Sequence, residues 1–123
     1  MPFSSKGLYA QCETWQKSAK EIELKDAFII YRSLLTDGNN EQAFPYWEKV
    51  YLNCPAADGL RADVFSDGRT FYIEKFNQSK NRKEKAEFAK IIRQLLEEEK
   101  SCYPDNKVIL PPKYIMEFGL RKN

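Results

Sequence analysis

Apolar residues recur at helical spacing over several segments of the chain, and turn-forming residues separate these segments. The clearest row in the N-terminal half has apolar residues at i, i+3, i+4, i+7, i+10 and i+11, which is typical of one face of an α-helix. Its members are Leu24, Ala27, Phe28, Tyr31, Leu34 and Leu35. A second helix is predicted over about residues 41–52, and a weaker row predicts an earlier helix within residues 5–20. The pattern therefore predicts two or three helices in residues 1–53.

The longest periodic segment begins at residue 80 or 81 and runs to Cys102. Its apolar residues fall on one side of a helical wheel, with charged residues opposite. Pro104, two residues after Cys102, favours an end to the helix, because proline lacks a backbone N–H. The residues of this apolar side are Phe88, Ala89, Ile92, Leu95, Leu96 and Tyr103, with Ile91 at its edge.

A β-hairpin is predicted between these helical regions, over residues 60–76. Two runs rich in β-prone residues flank Asp67 and Gly68, and Asp-Gly is a strong hairpin signal because glycine accepts the positive φ of a tight turn. Residues 108–110 and 114–118 are apolar as well and predict one or two further strands.

The predicted fold class is α+β. It consists of two or three N-terminal helices, then an antiparallel sheet of three or four strands with one long helix packed on it. At 123 residues the chain has the usual size of a single domain. The helical half would span residues 1–53, and the hairpin, long helix and C-terminal strands would span residues 60–118.

Several classes of function lack their usual residues. The chain has no histidine, so it cannot form a Ser-His-Asp or Cys-His catalytic arrangement. All five glycines are isolated, so no standard glycine-rich nucleotide-binding loop is present. Cysteine spacing of the kind that binds zinc is absent too. The sequence therefore favours a protein without enzymatic activity, and it predicts no cofactor and no metal site.

The cysteines and the apolar runs bear on location. Cys12, Cys54 and Cys102 are far apart and odd in number, which favours buried thiols in a reducing compartment over a disulfide framework. The longest apolar run covers residues 27–31, whereas a membrane helix needs about 20 apolar residues. The N-terminal residues do not resemble a secretory signal. We therefore expect a cytoplasmic protein that does not contact the membrane.

A basic segment is the first candidate for function. Residues 75–93 contain seven Lys or Arg and two Glu, a net charge of +5, at the helix end where the macrodipole favours acids. One interpretation is an anion or nucleic-acid contact, with bases stacked on nearby rings such as Phe71, Tyr72 or Phe76. The other is a solvated charged surface, which the mild overall charge of +2 favours. The candidate contact residues are Ser79, Lys80, Arg82, Lys83 and Lys90.

Aromatic residues, at 14% of the chain, are the second candidate. Many lie in the helical half, where they predict either a ring-rich core or a surface that binds a partner. The candidate interface residues are Tyr46, Trp47 and Tyr51, with Tyr46 off the apolar face and so the best candidate for an exposed ring.

The predicted function is a small binding or regulatory protein that acts through protein–protein contacts. The expected partner is another protein or a second copy of this chain, as a homodimer. The alternative is RNA or DNA binding through the basic N-terminal part of the long helix.

Overall fold

A computed structural model describes residues 12–107, and their regular structure is helical throughout. No strand occurs in this part of the chain, so the prediction of an α+β fold with an antiparallel sheet is wrong for it. A short 3-10 helix at Trp15–Lys17 comes first. The α-helices that follow are α1 (Glu21–Thr36), α2 (Asn40–Asn53), α3 (Asp63–Gln78) and α4 (Arg82–Cys102).

Three predicted helices are confirmed: α1, α2 and the long α4. The α-helix predicted within residues 5–20 is not found from residue 12 onward, where Cys12 and Trp15–Lys17 are in 3-10 rather than α-helical conformation. Its first part lies outside the described residues. The strands predicted at residues 108–110 and 114–118 also lie outside them.

The hairpin predicted over residues 60–76 is wrong, because all but the first three of these residues lie in α3. Val64, Phe71, Tyr72 and Phe76 are all buried, and their spacing of seven, one and four also traces one side of a helix. Gly68 lies inside α3 and is buried. Glycine in a helix interior costs about 1 kcal/mol relative to alanine. Burial of a row of large side chains offsets that cost, since tertiary packing supplies most of the stability of a helix in a protein.

The chain divides into two compact units, one ending at Phe65 and the other beginning at Ser66. In the first unit α1 packs against α2, and the turn between them has a well-defined cap. Gly38 adopts a φ of +82°, in the left-handed region that favours glycine. The backbone N–H groups of Gly38 and Asn39 donate to the carbonyls of Leu35 and Leu34 at 3.1 and 2.8 Å. This is the helix stop and αα-hairpin that the sequence indicates.

Aromatic rings fill the interior of the first unit. Trp47 is fully buried, its indole N–H donates to the Val64 carbonyl at 2.7 Å, and its ring stacks on Tyr51 with centroids 5.1 Å apart. Phe28 contacts Trp15 edge-on, with centroids 5.4 Å apart. The ring-rich core is therefore the correct interpretation of most of the aromatic residues that the structure describes in this unit.

The second unit buries charged side chains together with its apolar ones. Arg69 of α3 and Glu99 of α4 form an ion pair at 7% and 2% exposure. The Asn106 amide donates to the other Glu99 carboxylate oxygen at 2.9 Å. The rings of Tyr72 and Phe88 lie at an angle of 48° to each other, with centroids 6.0 Å apart. A buried charge is costly unless it is paired and hydrogen-bonded, and Glu99 has both kinds of partner.

The cysteines differ from expectation. Cys54 is buried and takes no part in a disulfide, as expected, but Cys12 and Cys102 are each disulfide-bonded. The thiol argument for a reducing compartment therefore fails. Within residues 12–107, no helix has the length and apolar character needed to cross a membrane.

Candidate functional site

Besides Leu52 near the end of α2, at 42% exposure, four large apolar side chains are exposed on α1 and α2. They are Ile22 at 77% exposure, Ile29 at 64%, Ile30 at 40% and Tyr46 at 41%. We call these four residues the apolar patch. Single exposed apolar residues are common on protein surfaces, but several in neighbouring positions are typical of an interaction surface.

The folding of α1 does not require these isoleucines. Leu24, Phe28 and Tyr31 are buried and hold α1 in the core. Ile22 and Ile29 are seven residues apart and lie on the opposite side of the helix. Lysine or glutamate at an exposed helical position has a slightly higher helix propensity than isoleucine. α1 therefore has apolar residues on two sides, and only one of these sides packs into the interior.

An open groove of about 890 Å³ follows the N-terminal part of α1. Three patch residues line it, namely Ile22, Ile30 and Tyr46, together with the buried Ala27 and with Pro45. Small-molecule sites are usually concave and enclose most of their ligand. An open groove with large apolar side chains is better suited to side chains of another protein.

The charges beside the groove largely neutralise one another. Glu23 of α1 forms an ion pair with Lys49 of α2, and the hydrogen bond and charge of Lys49 lower the pKa of the Glu23 carboxyl. Lys25 pairs with Glu21 one turn away at 3.1 Å. Asp26 makes no ion pair with any described residue. Within residues 12–107, the rim therefore carries one carboxylate that has no cation paired with it.

The three predicted interface residues have different positions. Tyr46 is partly exposed and lines the groove, whereas Trp47 and Tyr51 are fully buried. Sequence reasoning did not select Ile22 or Ile29 as site residues. The signal that could have found them is their position opposite the buried row of α1, which a helical wheel of that segment displays.

The backbone at the start of α4 is capped by its own side chains. The Asn81 side-chain oxygen accepts a hydrogen bond from the Glu84 N–H at 2.9 Å. Ser79 Oγ donates to the Glu84 carboxylate at 2.6 Å. A capped helix start that also carries a carboxylate is a poor anion site, because the N–H groups and the dipole already have a negative partner.

The basic residues around this helix start differ in exposure. Lys85 turns inward, where its ammonium group donates to the Phe76 carbonyl at 2.7 Å and lies 4.4 Å from the Phe76 ring centroid. The rings proposed for base stacking, Phe71, Tyr72 and Phe76, are all buried. The predicted contact residues that remain exposed are Lys80, Arg82, Lys83 and Lys90.

The chemistry of the described residues offers no metal site, since residues 12–107 bring no three His, Cys, Asp or Glu side chains together. Comparison of the chain with family models, curated proteins and solved structures finds no match in any of the three.

Proposed function

We propose that this protein is a non-enzymatic binding protein that acts through protein–protein contacts, with the apolar patch as its binding surface. The observation that carries the proposal is the exposure of Ile22, Ile29, Ile30 and Tyr46 on one helical hairpin. Fully covering an exposed isoleucine is worth roughly 1.5–3 kcal/mol. Tyrosine is a favoured anchor at interfaces, because it offers a large apolar ring and a polar hydroxyl.

The groove supports a protein ligand over a small molecule. Its apolar walls are open, and the Glu23–Lys49 ion pair stands beside them. An apolar centre with charged groups around it is the usual arrangement of a protein–protein interface. A partner that covers this centre leaves the rim charges in contact with water and avoids the cost of burying them.

Nucleic-acid binding through α4 is the less favoured function. Exposed Lys80, Lys83 and Lys90 are compatible with phosphate contacts. However, the helix start is capped by Asn81 and the neighbouring rings are buried. Exposed lysines without a stacking ring or a vacant helix start are equally expected of an ordinary solvated surface.

Site-specific photo-crosslinking tests the proposal. Tyr46 is replaced by p-benzoylphenylalanine, which keeps an aromatic ring at that position, and living cells that contain the protein are irradiated. We expect an adduct to protein that is lost when Ile22→Ser and Ile30→Ser are added. Substitution of Lys90 by the same photo-reactive residue provides the matched control on α4.

The two candidate functions give opposite results. The salt dependence is measured by irradiating an extract of the same cells, where an adduct at position 46 that forms equally well at about 1 M salt supports apolar protein contact, because salt screens charges and leaves apolar burial intact. Absence of any adduct at position 46 would contradict the proposal. A nucleic-acid adduct at position 90 that disappears with added salt would favour the alternative.

A further inference from the structure

The outer side of α1 carries a regular arrangement of apolar and charged residues. Ile22, Lys25, Asp26 and Ile29 are all exposed. At 3.6 residues per turn they fall within an arc of about 100°, opposite the buried row of the helix. Two isoleucines thus stand at the ends of this surface, with one cation and one carboxylate between them. We call these four residues the outer face of α1.

This outer face is complementary to itself in one orientation. When two α1 helices run antiparallel about a two-fold axis between residues 25 and 26, Ile22 lies opposite the partner's Ile29. Lys25 then lies opposite the partner's Asp26, and the symmetry repeats both contacts. A symmetric interface uses the same surface on both copies, so each favourable contact occurs twice.

The charges favour this orientation over a parallel one. A parallel in-register pair places Lys25 against the partner's Lys25 and Asp26 against the partner's Asp26, and like charges in contact are unfavourable. Asp26 makes no ion pair with any described residue of its own chain. The antiparallel pair supplies the missing cation, since the Lys25 side chain is 46% exposed even while paired with Glu21.

We infer that the partner of the apolar patch is a second copy of this chain, joined by antiparallel pairing of the outer faces of α1. The inference rests on the proposed function and names its partner. Ile30 and Tyr46 extend the apolar surface beside the pair. A single helix pair covers less area than the ~1,600 Å² of a standard interface, so the dimer is weak and its population rises with concentration.

Analytical ultracentrifugation of charge-reversed variants tests the inference. The purified protein should shift from 14.4 kDa toward twice that mass as its concentration rises. Lys25→Glu leaves two carboxylates on the outer face, and Asp26→Lys leaves two cations. Each variant alone should associate about tenfold more weakly than the original protein, because two attractive pairs become repulsive.

An equimolar mixture of the two variants is the decisive sample. Glu at position 25 of one variant faces Lys at position 26 of the other, so the mixture should recover the affinity that each variant alone has lost. Lys90→Glu, a reversal at another exposed lysine, on α4, should leave dimerisation unchanged. Circular dichroism checks that the helices of every variant are retained.

Each result decides the inference. Recovery of the dimer in the mixture supports antiparallel pairing of α1. A protein that stays monomeric at every concentration, variants that dimerise as well as the original, or a mixture that stays monomeric would each overturn it. The proposed function is tested separately, because an adduct from position 46 to a different protein would still support that function.

Discussion

The α1–α2 hairpin and the segment of α3 and α4 after Phe65 distribute polarity in opposite ways. The exposed large apolar residues among residues 12–107 all lie in the first region or just after it. The buried charged residues of the same part of the chain all lie in the second, and they are Asp67, Arg69, Glu98 and Glu99. One region therefore buries rings and exposes isoleucines, whereas the other buries charges.

This difference is the reason why we place the proposed binding surface on the first region. Exposed lysines on α4 need no partner, because water solvates them well. Exposed isoleucines on α1 remain unfavourable until another surface covers them. Conversely, the buried Arg69–Glu99 pair restricts how α3 and α4 pack, since either charge without the other would be costly. Buried polar contacts thus restrict the packing inside the second region. In the first region, exposed apolar side chains are available for contact with another surface.

The largest expected effect comes from breaking the buried ion pair. Arg69→Ala leaves the Glu99 carboxylate buried without its cation, and we expect the free energy of unfolding to fall by about 3–5 kcal/mol. Urea denaturation followed by circular dichroism measures this loss. The double variant Arg69→Met/Glu99→Leu should lose far less, because it removes both charges together.

An exposed cation on the same unit provides the comparison. Lys90→Ala should change stability by no more than about 0.5 kcal/mol, since Lys90 is exposed. If Arg69→Ala and Lys90→Ala lowered the free energy of unfolding equally, the buried pair would not hold α3 against α4.

The next effect concerns the rings of the first region. Trp47→Phe keeps a ring but removes the indole N–H that donates to the Val64 carbonyl at 2.7 Å. We expect the free energy of unfolding to fall by about 2–3 kcal/mol, because the Val64 carbonyl loses its hydrogen bond and because phenylalanine is smaller than tryptophan. Thermal or urea unfolding measures it.

Its neighbour Tyr46 is the matched control. Tyr46→Phe at the partly exposed position should change stability by less than about 0.5 kcal/mol. If the two substitutions cost the same, the distinction between a buried Trp47 and an exposed Tyr46 would be wrong.

The smallest effect is expected at the exposed ion pair between α1 and α2. Lys49 lowers the pKa of the Glu23 carboxyl, first through its hydrogen bond and then through its charge. In Lys49→Ala, we expect the pKa of Glu23 to rise toward its ordinary value. A carbon-13 NMR titration of the side-chain carboxyl measures this change directly.

The same pair determines the sign of a pH effect on stability. Because the pKa of Glu23 is lower in the folded state, the pair stabilises the protein at pH values above the pKa of the unfolded carboxyl. This stabilisation is lost as the pH falls through the folded pKa. The original protein and Lys49→Ala should therefore differ at neutral pH and converge in acid. A difference that persists in acid would assign the effect of Lys49 to packing.

The sequence by itself determined α1, α2 and α4. Each has an apolar row that repeats at helical spacing over several turns, and strong stop signals such as Gly38 and Pro104 separate or end them. Local spacing was sufficient there because only a helix places such a row on one side. Helical spacing also places Tyr46 off the apolar face of α2, and its ring is exposed as predicted.

Only the tertiary structure decided α3 and the outer face of α1. Residues 63–78 combine β-prone side chains and an Asp-Gly pair with a helical apolar row, so their local preferences conflict. Burial of Val64, Phe71 and Phe76 resolves the conflict in favour of a helix. Whether Ile22 and Ile29 lie inside or outside depends on which side of α1 meets α2. Packing between the helices determines this, and the spacing of apolar residues within one helix does not predict it.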